Sequence, residues 1–198
     1  FLLILYSIDF YRDISMGNAL IIHKNELIST SVYDENGMII FWDLLTGEYK
    51  RNITAPFNWI RALLINKNDE LISGSDDMTV RIWNMITGQT KKILTEHTAN
   101  LNSLIINNND ELISGSSDRL IKVWEIASGI CKRNLTGYSG LVITLLLKKK
   151  DELISRSTDK PIKIWNTTTG ECKRTLVGHT EQMNSLVINE NYELISIN

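Results

Sequence analysis

An all-β fold built of repeated four-stranded antiparallel sheets is the fold class this sequence predicts. Three observations carry it. Trp42, Trp83, Trp124 and Trp165 stand 41 residues apart. The tetrapeptide Glu-Leu-Ile-Ser keeps the same step from Glu70 to Glu111, Glu152 and Glu193. Between turn signals the runs are five to seven residues long, too short for typical helices. A fixed period of this size marks one supersecondary unit per repeat, stacked on its neighbours. Regular short strands fit a sandwich, a barrel or a propeller. The repeat selects the β-propeller, with one radial sheet, or blade, per repeat.

The elements follow in order. Phe1-Leu2-Leu3-Ile4-Leu5-Tyr6 is apolar but far short of the ~20 residues of a membrane helix. It also lacks the basic start of a secretory signal. Residues 1–17 read as the remnant of a preceding repeat. Repeats follow at about 18–59, 60–100, 101–141 and 142–182, and 183–198 begins a fifth. The expectation is four complete blades plus an incomplete fifth. The chain starts at Phe1 rather than methionine and stops inside a repeat, so a fragment of a larger ring, open and curved, is expected. Glu26-Leu27-Ile28-Ser29 lies 44 residues before its successor, not 41. The extra residues fall within Val32–Gly37 and are expected to form a surface loop.

Residues 101–140 show one repeat in full. Leu101–Ile106 is a β-rich run, and Asn107-Asn108-Asn109-Asp110 is a turn, since these side chains bond their own backbone. Glu111–Ser116 is a second strand, closed by Ser117-Asp118-Arg119. Leu120–Ile126 is a third, and Ile130–Leu135 a fourth after Ala127-Ser128-Gly129. Glycine recurs in that last turn at Gly47, Gly88, Gly129 and Gly170, where a tight hairpin needs positive φ. Basic pairs recur in the fourth strand at Lys50-Arg51, Lys91-Lys92, Lys132-Arg133 and Lys173-Arg174. On an outer strand, lysine is expected to block edge-to-edge pairing.

Several of these pieces recur together and resemble the WD-repeat β-propeller family. They are Ser73-Gly74-Ser75-Asp76-Asp77, Val80-Arg81-Ile82-Trp83, Ser114-Gly115-Ser116-Ser117-Asp118, Ile121-Lys122-Val123-Trp124 and the dipeptide Gly178-His179. The resemblance covers residues 18–198. It implies a hydrogen-bonded tetrad of histidine, serine or threonine, aspartate and tryptophan in each blade. Carried over by position, His97, Ser114, Asp118 and Trp124 make one complete set. Other repeats depart. Pro56 and Tyr138 stand where histidine would precede the Ser73, Asp77, Trp83 and Ser155, Asp159, Trp165 sets. The first repeat has Asp13 and Asn36 at the histidine and aspartate positions. Those three blades are expected to rely on packing alone.

The resemblance also implies a partner-docking face, formed by the loops before the first strand and between the second and third. Three positions per blade point there in the family. The first set maps to Trp59, Asn100, Leu141 and Gln182; the second to Arg61, Asn102, Ile143 and Asn184; the third to Glu35, Asp76, Ser117 and Thr158. Tryptophan and arginine dominate interface hot spots, so Trp59 and Arg61 stand out.

Chemistry is sparse elsewhere. His97 and His179 belong to the repeat and His23 sits in a turn. No cysteine–histidine spacing suits zinc, and no phosphate-cradling glycine loop is present. Asp69-Glu70, Asp110-Glu111 and Asp151-Glu152 recur every 41 residues and read as solvated turns. No enzyme activity, cofactor or metal is expected. A net charge of −2 predicts no attraction to nucleic acid or anionic membrane. Cys131 and Cys172 occupy one repeat position in different repeats, so they do not bridge, and an intracellular compartment, cytoplasmic or nuclear, follows. The reading is a non-catalytic scaffold or adaptor that binds protein or peptide partners. Two alternatives stay open: a substrate-recognition subunit of a ubiquitin ligase, and a regulatory propeller attached to a kinase or nucleotide-binding domain.

Overall fold

The computed structural model describes residues 19–33, 36–55, 59–149, 151–178, 183, 185–189, 191 and 193–197. Among them there is no helix. β1 (Leu20–His23), β2 (Glu26–Tyr33), β3 (Asn36–Asp43) and β4 (Tyr49–Ala55) form the first antiparallel sheet, in chain order. β5 (Ile60–Ile65), β6 (Glu70–Ser75), β7 (Val80–Asn84) and β8 (Thr90–Leu94) form the second. β9 (Leu101–Ile106), β10 (Glu111–Ser116), β11 (Ile121–Glu125) and β12 (Cys131–Leu135) form the third. β13 (Val142–Lys149), β14 (Glu152–Ser157), β15 (Ile162–Asn166) and β16 (Cys172–Leu176) form the fourth. β17 (Ser185–Ile188) and β18 (Leu194–Ile197) make a two-stranded hairpin. These are separate propeller-type blades, not one continuous barrel.

Strand alternation puts one set of side chains on each face of a sheet, and both faces are apolar. The core therefore lies between sheets rather than within one. Ile39, Phe41 and Ile53 of the first sheet meet Leu71, Trp83 and Met85 of the second. Ile72, Val80 and Leu94 meet Leu112, Trp124 and Ile126, and Ile113, Val123 and Leu135 meet Leu153 and Trp165. The hairpin closes the series, with Met183 and Leu186 on Ile154, Ile162 and Ile164. Trp83, Trp124 and Trp165 are almost wholly buried. First strands of successive sheets lie side by side.

Local chemistry sets the turns. The Asn84 carboxamide oxygen accepts from the Ile86 and Thr87 amides, and Gly88 donates to the Asn84 carbonyl at 2.9 Å with φ +70°. A Cβ at Gly129 would also press on Leu94 at 3.0 Å, so that turn seats against the preceding sheet. In the first-to-second-strand turns, Asn66 and Asn107 are buried, and each carboxamide oxygen accepts two amides, ending on Glu70 and Glu111.

Four expectations need correction. Of the segment expected to be a surface loop, Val32, Tyr33, Asn36 and Gly37 are strand residues, and Asp34 and Glu35 lie outside the described residues. β2 and β3 are eight residues long each, and pairing runs on to Val32 with Gly37 and Tyr33 with Asn36. Asn36 therefore sits in a ladder, not in a tetrad turn.

Glu111 is not solvated either. It is 6% exposed and accepts from both Lys132 and Arg133. Glu26, Glu70 and Glu152 bond Lys50, Lys91 and Lys173 in the same way.

The basic pairs do more than guard an edge. The first residue of each pair holds the glutamate of its own sheet. The second reaches the next sheet: Arg51 donates to the Met85 carbonyl, Lys92 to Ile126 and Arg133 to Thr167, at 3.4, 3.0 and 3.0 Å. The reason is geometric, because the fourth strand of one sheet lies against the third-strand end of the next. The fourth correction concerns the tetrads and belongs to the site.

Candidate partner-binding face

The complete tetrad is one chain of hydrogen bonds with a single direction. Trp124 Nε1 donates to Ser114 Oγ at 2.8 Å. Ser114 Oγ lies 2.7 Å from His97 Nε2, and His97 Nδ1 lies 2.6 Å from Asp118 Oδ2. Indole only donates and carboxylate only accepts. His97 Nδ1 then carries a proton toward Asp118, and in the neutral imidazole that burial favours, the serine hydroxyl donates to Nε2. The imidazole is neutral. Burial holds its pKa below 6.5, and the hydrogen bond to Asp118 only partly offsets that. Asp118 itself is held below the usual carboxylate range by His97 and by backbone amides, against burial, its largest influence, which raises it.

The other blades do not rely on packing alone. Trp42, Trp83 and Trp165 donate to Ser29, Ser73 and Ser155 at 2.9, 2.9 and 2.7 Å. In the fourth sheet Tyr138 takes the histidine's place. Its hydroxyl lies 2.7 Å from both the carbonyl and the Oγ of Ser155. Burial pushes the phenol pKa up, so it stays a neutral donor. Tyrosine has one polar atom where imidazole has two, so Asp159 is met instead by Ser139, through its amide and hydroxyl at 2.8 and 3.0 Å. In the second sheet Asp77 binds Thr79 and Arg81. Asp13, Pro56 and His179 lie outside the described residues.

These turns hold the same end of each sheet as the candidate partner positions. Arg61 and Ile143 fall at breaks in register, between Ile60 and Ala62 and between Val142 and Thr144. Asn102 falls at the matching break, where Ser103 pairs with Gly115 but Leu101 with Ser116. A bulge leaves one residue out of the ladder and re-aims its side chain. Arg61 turns onto Asp76 as a two-pronged ion pair, Nη2 to Oδ2 at 2.8 Å and Nε to Oδ1. That hydrogen bond raises the Arg61 pKa. Asn102 donates to Ser117 Oγ at 3.0 Å and to the Val142 carbonyl of the next sheet at 2.8 Å.

The first set is tied to the third through the backbone. Asp76, Ser117 and Thr158 donate their amides to the carbonyls of Trp59, Asn100 and Leu141 at 2.9, 2.9 and 3.0 Å. Thr158 Oγ1 also accepts from the Leu141 amide. Trp59 and Asn100 are half-buried and Leu141 is 40% exposed. The structure thus brings together Trp59, Arg61 and Asp76 in one blade, Asn100, Asn102 and Ser117 in the next, and Leu141, Ile143 and Thr158 in the third. Glu35, Gln182 and Asn184 lie outside the described residues.

Sequence reasoning missed the bulges, and it placed Tyr138 at the histidine position without seeing that its hydroxyl would bond Ser155. The only available signal for that bond was an aromatic hydrogen-bonding residue 41 positions after His97.

His23 ends β1, with Nε2 3.1 Å from Asp69. Cys131 and Cys172 are free thiols. Among the described residues no cluster of His, Cys, Asp or Glu is arranged to hold a metal, and no helix is long and apolar enough to cross a membrane.

Residues 47–84 and 88–125 match the family described as WD domain, G-beta repeat. Repeats of that family generally mediate protein–protein interaction and are typically non-catalytic. Among solved structures, a crystal structure of the computationally designed Ika8 protein is similar. It is 31% identical over 90% of this chain, with a TM-score of 0.76. The chain spans 54% of that protein's length. No curated protein matches it.

Proposed function

We propose that this WD-repeat chain is a non-catalytic scaffold or adaptor that holds protein or peptide partners on the loop end of its sheets. One observation carries the reading. Bulges fall at the same point of three first strands, at Arg61, Asn102 and Ile143, two residues after Trp59, Asn100 and Leu141, and Arg61 and Asn102 bond Asp76 and Ser117 of that end. The backbone there is fixed by the paired turns, so partner contacts are preorganised and little ordering entropy is lost on binding.

Charge narrows the partner. Arg61 is engaged by Asp76, and Arg156 is buried on the Met183 carbonyl and Thr144. Neither offers a free guanidinium, and among the described residues of these loops the one exposed arginine is Arg119, too few for the cluster that phosphate reading uses, so the face favours aromatic and neutral polar contacts over a phosphorylated peptide. That weighs against a phosphate-reading subunit of a ubiquitin ligase.

The test compares partners captured by the unaltered chain with those captured by Trp59→Ala and Leu141→Ala. An anchor contributes roughly 2 kcal/mol or more, about thirtyfold in affinity. Loss of the same partner with both variants is expected. Capture unchanged by either substitution would overturn the assignment.

A further inference from the structure

The contact between the second and third sheets differs from its neighbours at a basic position. In the first sheet Arg51 spans the gap. Its guanidinium holds Glu26 at 2.7 Å, reaches the Met85 carbonyl of the next sheet and stacks on Phe41, 3.8 Å from the ring centre. In the third sheet Arg133 holds Glu111 at 2.8 Å and reaches the Thr167 carbonyl at 3.0 Å. The residue at this position in the second sheet is Lys92. Its single nitrogen reaches the Ile126 carbonyl at 3.0 Å and, among the described residues, forms no ion pair. Glu70 is left to Lys91 and Asn66.

A cavity of about 230 Å³ opens there. Ile82, Ile126 and Ala127 form its apolar wall, and Lys91, Lys92, Glu70 and Asp110 its polar side. Both carboxylates already have cations, Glu70 in Lys91 and Asp110 in Lys67 at 3.1 Å. Lys92 is therefore the charge that lacks a counter-ion. An ammonium carries three donors, and the Ile126 carbonyl takes one of them. A carboxylate placed on the others would make a charge-assisted hydrogen bond. One uncompensated cation matches one negative charge, and Glu70 and Asp110 alongside disfavour a dianion such as phosphate. A cavity of about 150 Å³ accommodates benzene, so this one has room for a branched aliphatic chain and its head group.

We propose that this cavity binds a small aliphatic carboxylate, with the head group on Lys92 and the chain against Ile82, Ile126 and Ala127. The turns that border it join first strands to second and third strands to fourth. It therefore lies at the opposite end of the sheets from the partner-binding face and does not depend on that reading.

Titration calorimetry with isocaproate tests this. The unaltered chain should bind it with roughly millimolar affinity. Isocaproamide has the same shape without the charge and should bind about tenfold or more weakly. Lys92→Gln should lose isocaproate by a similar factor. Lys92→Arg is the sharper variant. It keeps the charge and is the residue that both neighbouring sheets use, yet its guanidinium should pair with Glu70, fill the cavity and abolish binding. A tripeptide ending in leucine separates the two sources of such a group: binding of both ligands admits a chain terminus, and binding of isocaproate alone assigns a free acid. An unaltered chain that does not bind isocaproate would overturn the proposal. So would an amide that binds as well as the acid, or either variant binding isocaproate like the unaltered chain. Circular dichroism checks that both variants fold.

Discussion

Pro161→Thr should stabilise the chain, against the usual rule that replacing a loop proline costs stability. Asp159 Oδ2 accepts twice from Ser139, but Oδ1 is buried and has no partner among the described residues. The equivalent oxygens are satisfied. Asp77 Oδ1 accepts from the Thr79 amide and hydroxyl at 3.0 and 2.7 Å, and Asp118 Oδ1 from the Leu120 amide at 2.9 Å. The residue 41 positions after Leu120 is Pro161, which has no N–H. Threonine would supply both donors. Lys160 already holds φ +81°, close to +68° at Met78 and +73° at Arg119, so the turn needs no rebuilding.

A hydrogen bond to a charged acceptor contributes about 1.5–3 kcal/mol. Giving up the proline's restraint on the unfolded chain costs about 0.4–1 kcal/mol. The net is a gain on the order of 1–2 kcal/mol. Urea unfolding should show a higher midpoint at unchanged slope. In an Asp159→Ala background the same substitution should instead destabilise by about 0.4–1 kcal/mol, because only the entropic cost remains. A gain of the same size in both backgrounds would refute the reasoning, and so would a loss in the unaltered chain.

Four further outcomes follow from the same geometry. Thr167 Oγ1 is buried without a partner among the described residues, where the neighbouring sheets carry Met85 and Ile126. Thr167→Val should therefore stabilise by about 1 kcal/mol in the same urea assay. A Cβ at Gly115 would stand 2.7 Å from Val142 Cγ1, which is fully buried, so Gly115→Ala should destabilise by roughly 1–3 kcal/mol, read as a lower midpoint. Folded His97 has a pKa below 6.5, so near that pH the unfolded chain binds the extra proton. Stability is then full above pH 6.5 and falls as the pH drops through the folded value, and His97→Gln should flatten that window. A second loss is expected below pH 4.5, where Glu26, held at about 2 chiefly by Arg51, begins to lose its folded-state advantage.

The 41-residue period made the strands legible, because strand, turn glycine and buried tryptophan must all recur if identical sheets are to stack. It could not show what a recurrent residue touches. Arg51, Lys92 and Arg133 looked like edge charges because the sequence cannot reveal that the fourth strand of one sheet overlies the next. The bulges at Arg61, Asn102 and Ile143 were hidden for a related reason. A bulge is one unpaired residue between two strands, and a period that includes it in every repeat looks the same as one without it. The first sheet misled in the opposite sense. Extra residues read as a loop, yet the ladder of β2 and β3 runs on to Tyr33 and Asn36. At Tyr138 the family pattern failed while the physical requirement held: Ser155 still needed a neutral, buried hydrogen-bonding partner.

The same comparison supports the proposal that recognition uses the loop end. Most recurrent side chains are committed elsewhere, to the inter-sheet core, to the glutamate–lysine pairs or to the tetrads. At positions 59, 100 and 141 the structural duty falls on the backbone carbonyl, which accepts from residues 76, 117 and 158 whatever the side chain is. Tryptophan, asparagine and leucine all satisfy it. Those side chains are therefore free to differ between blades without cost to the fold, and they do differ. A surface whose geometry is held by main chain while its chemistry varies is suited to acquiring a partner, and Trp59 and Leu141 are where this chain has used that freedom for large apolar groups.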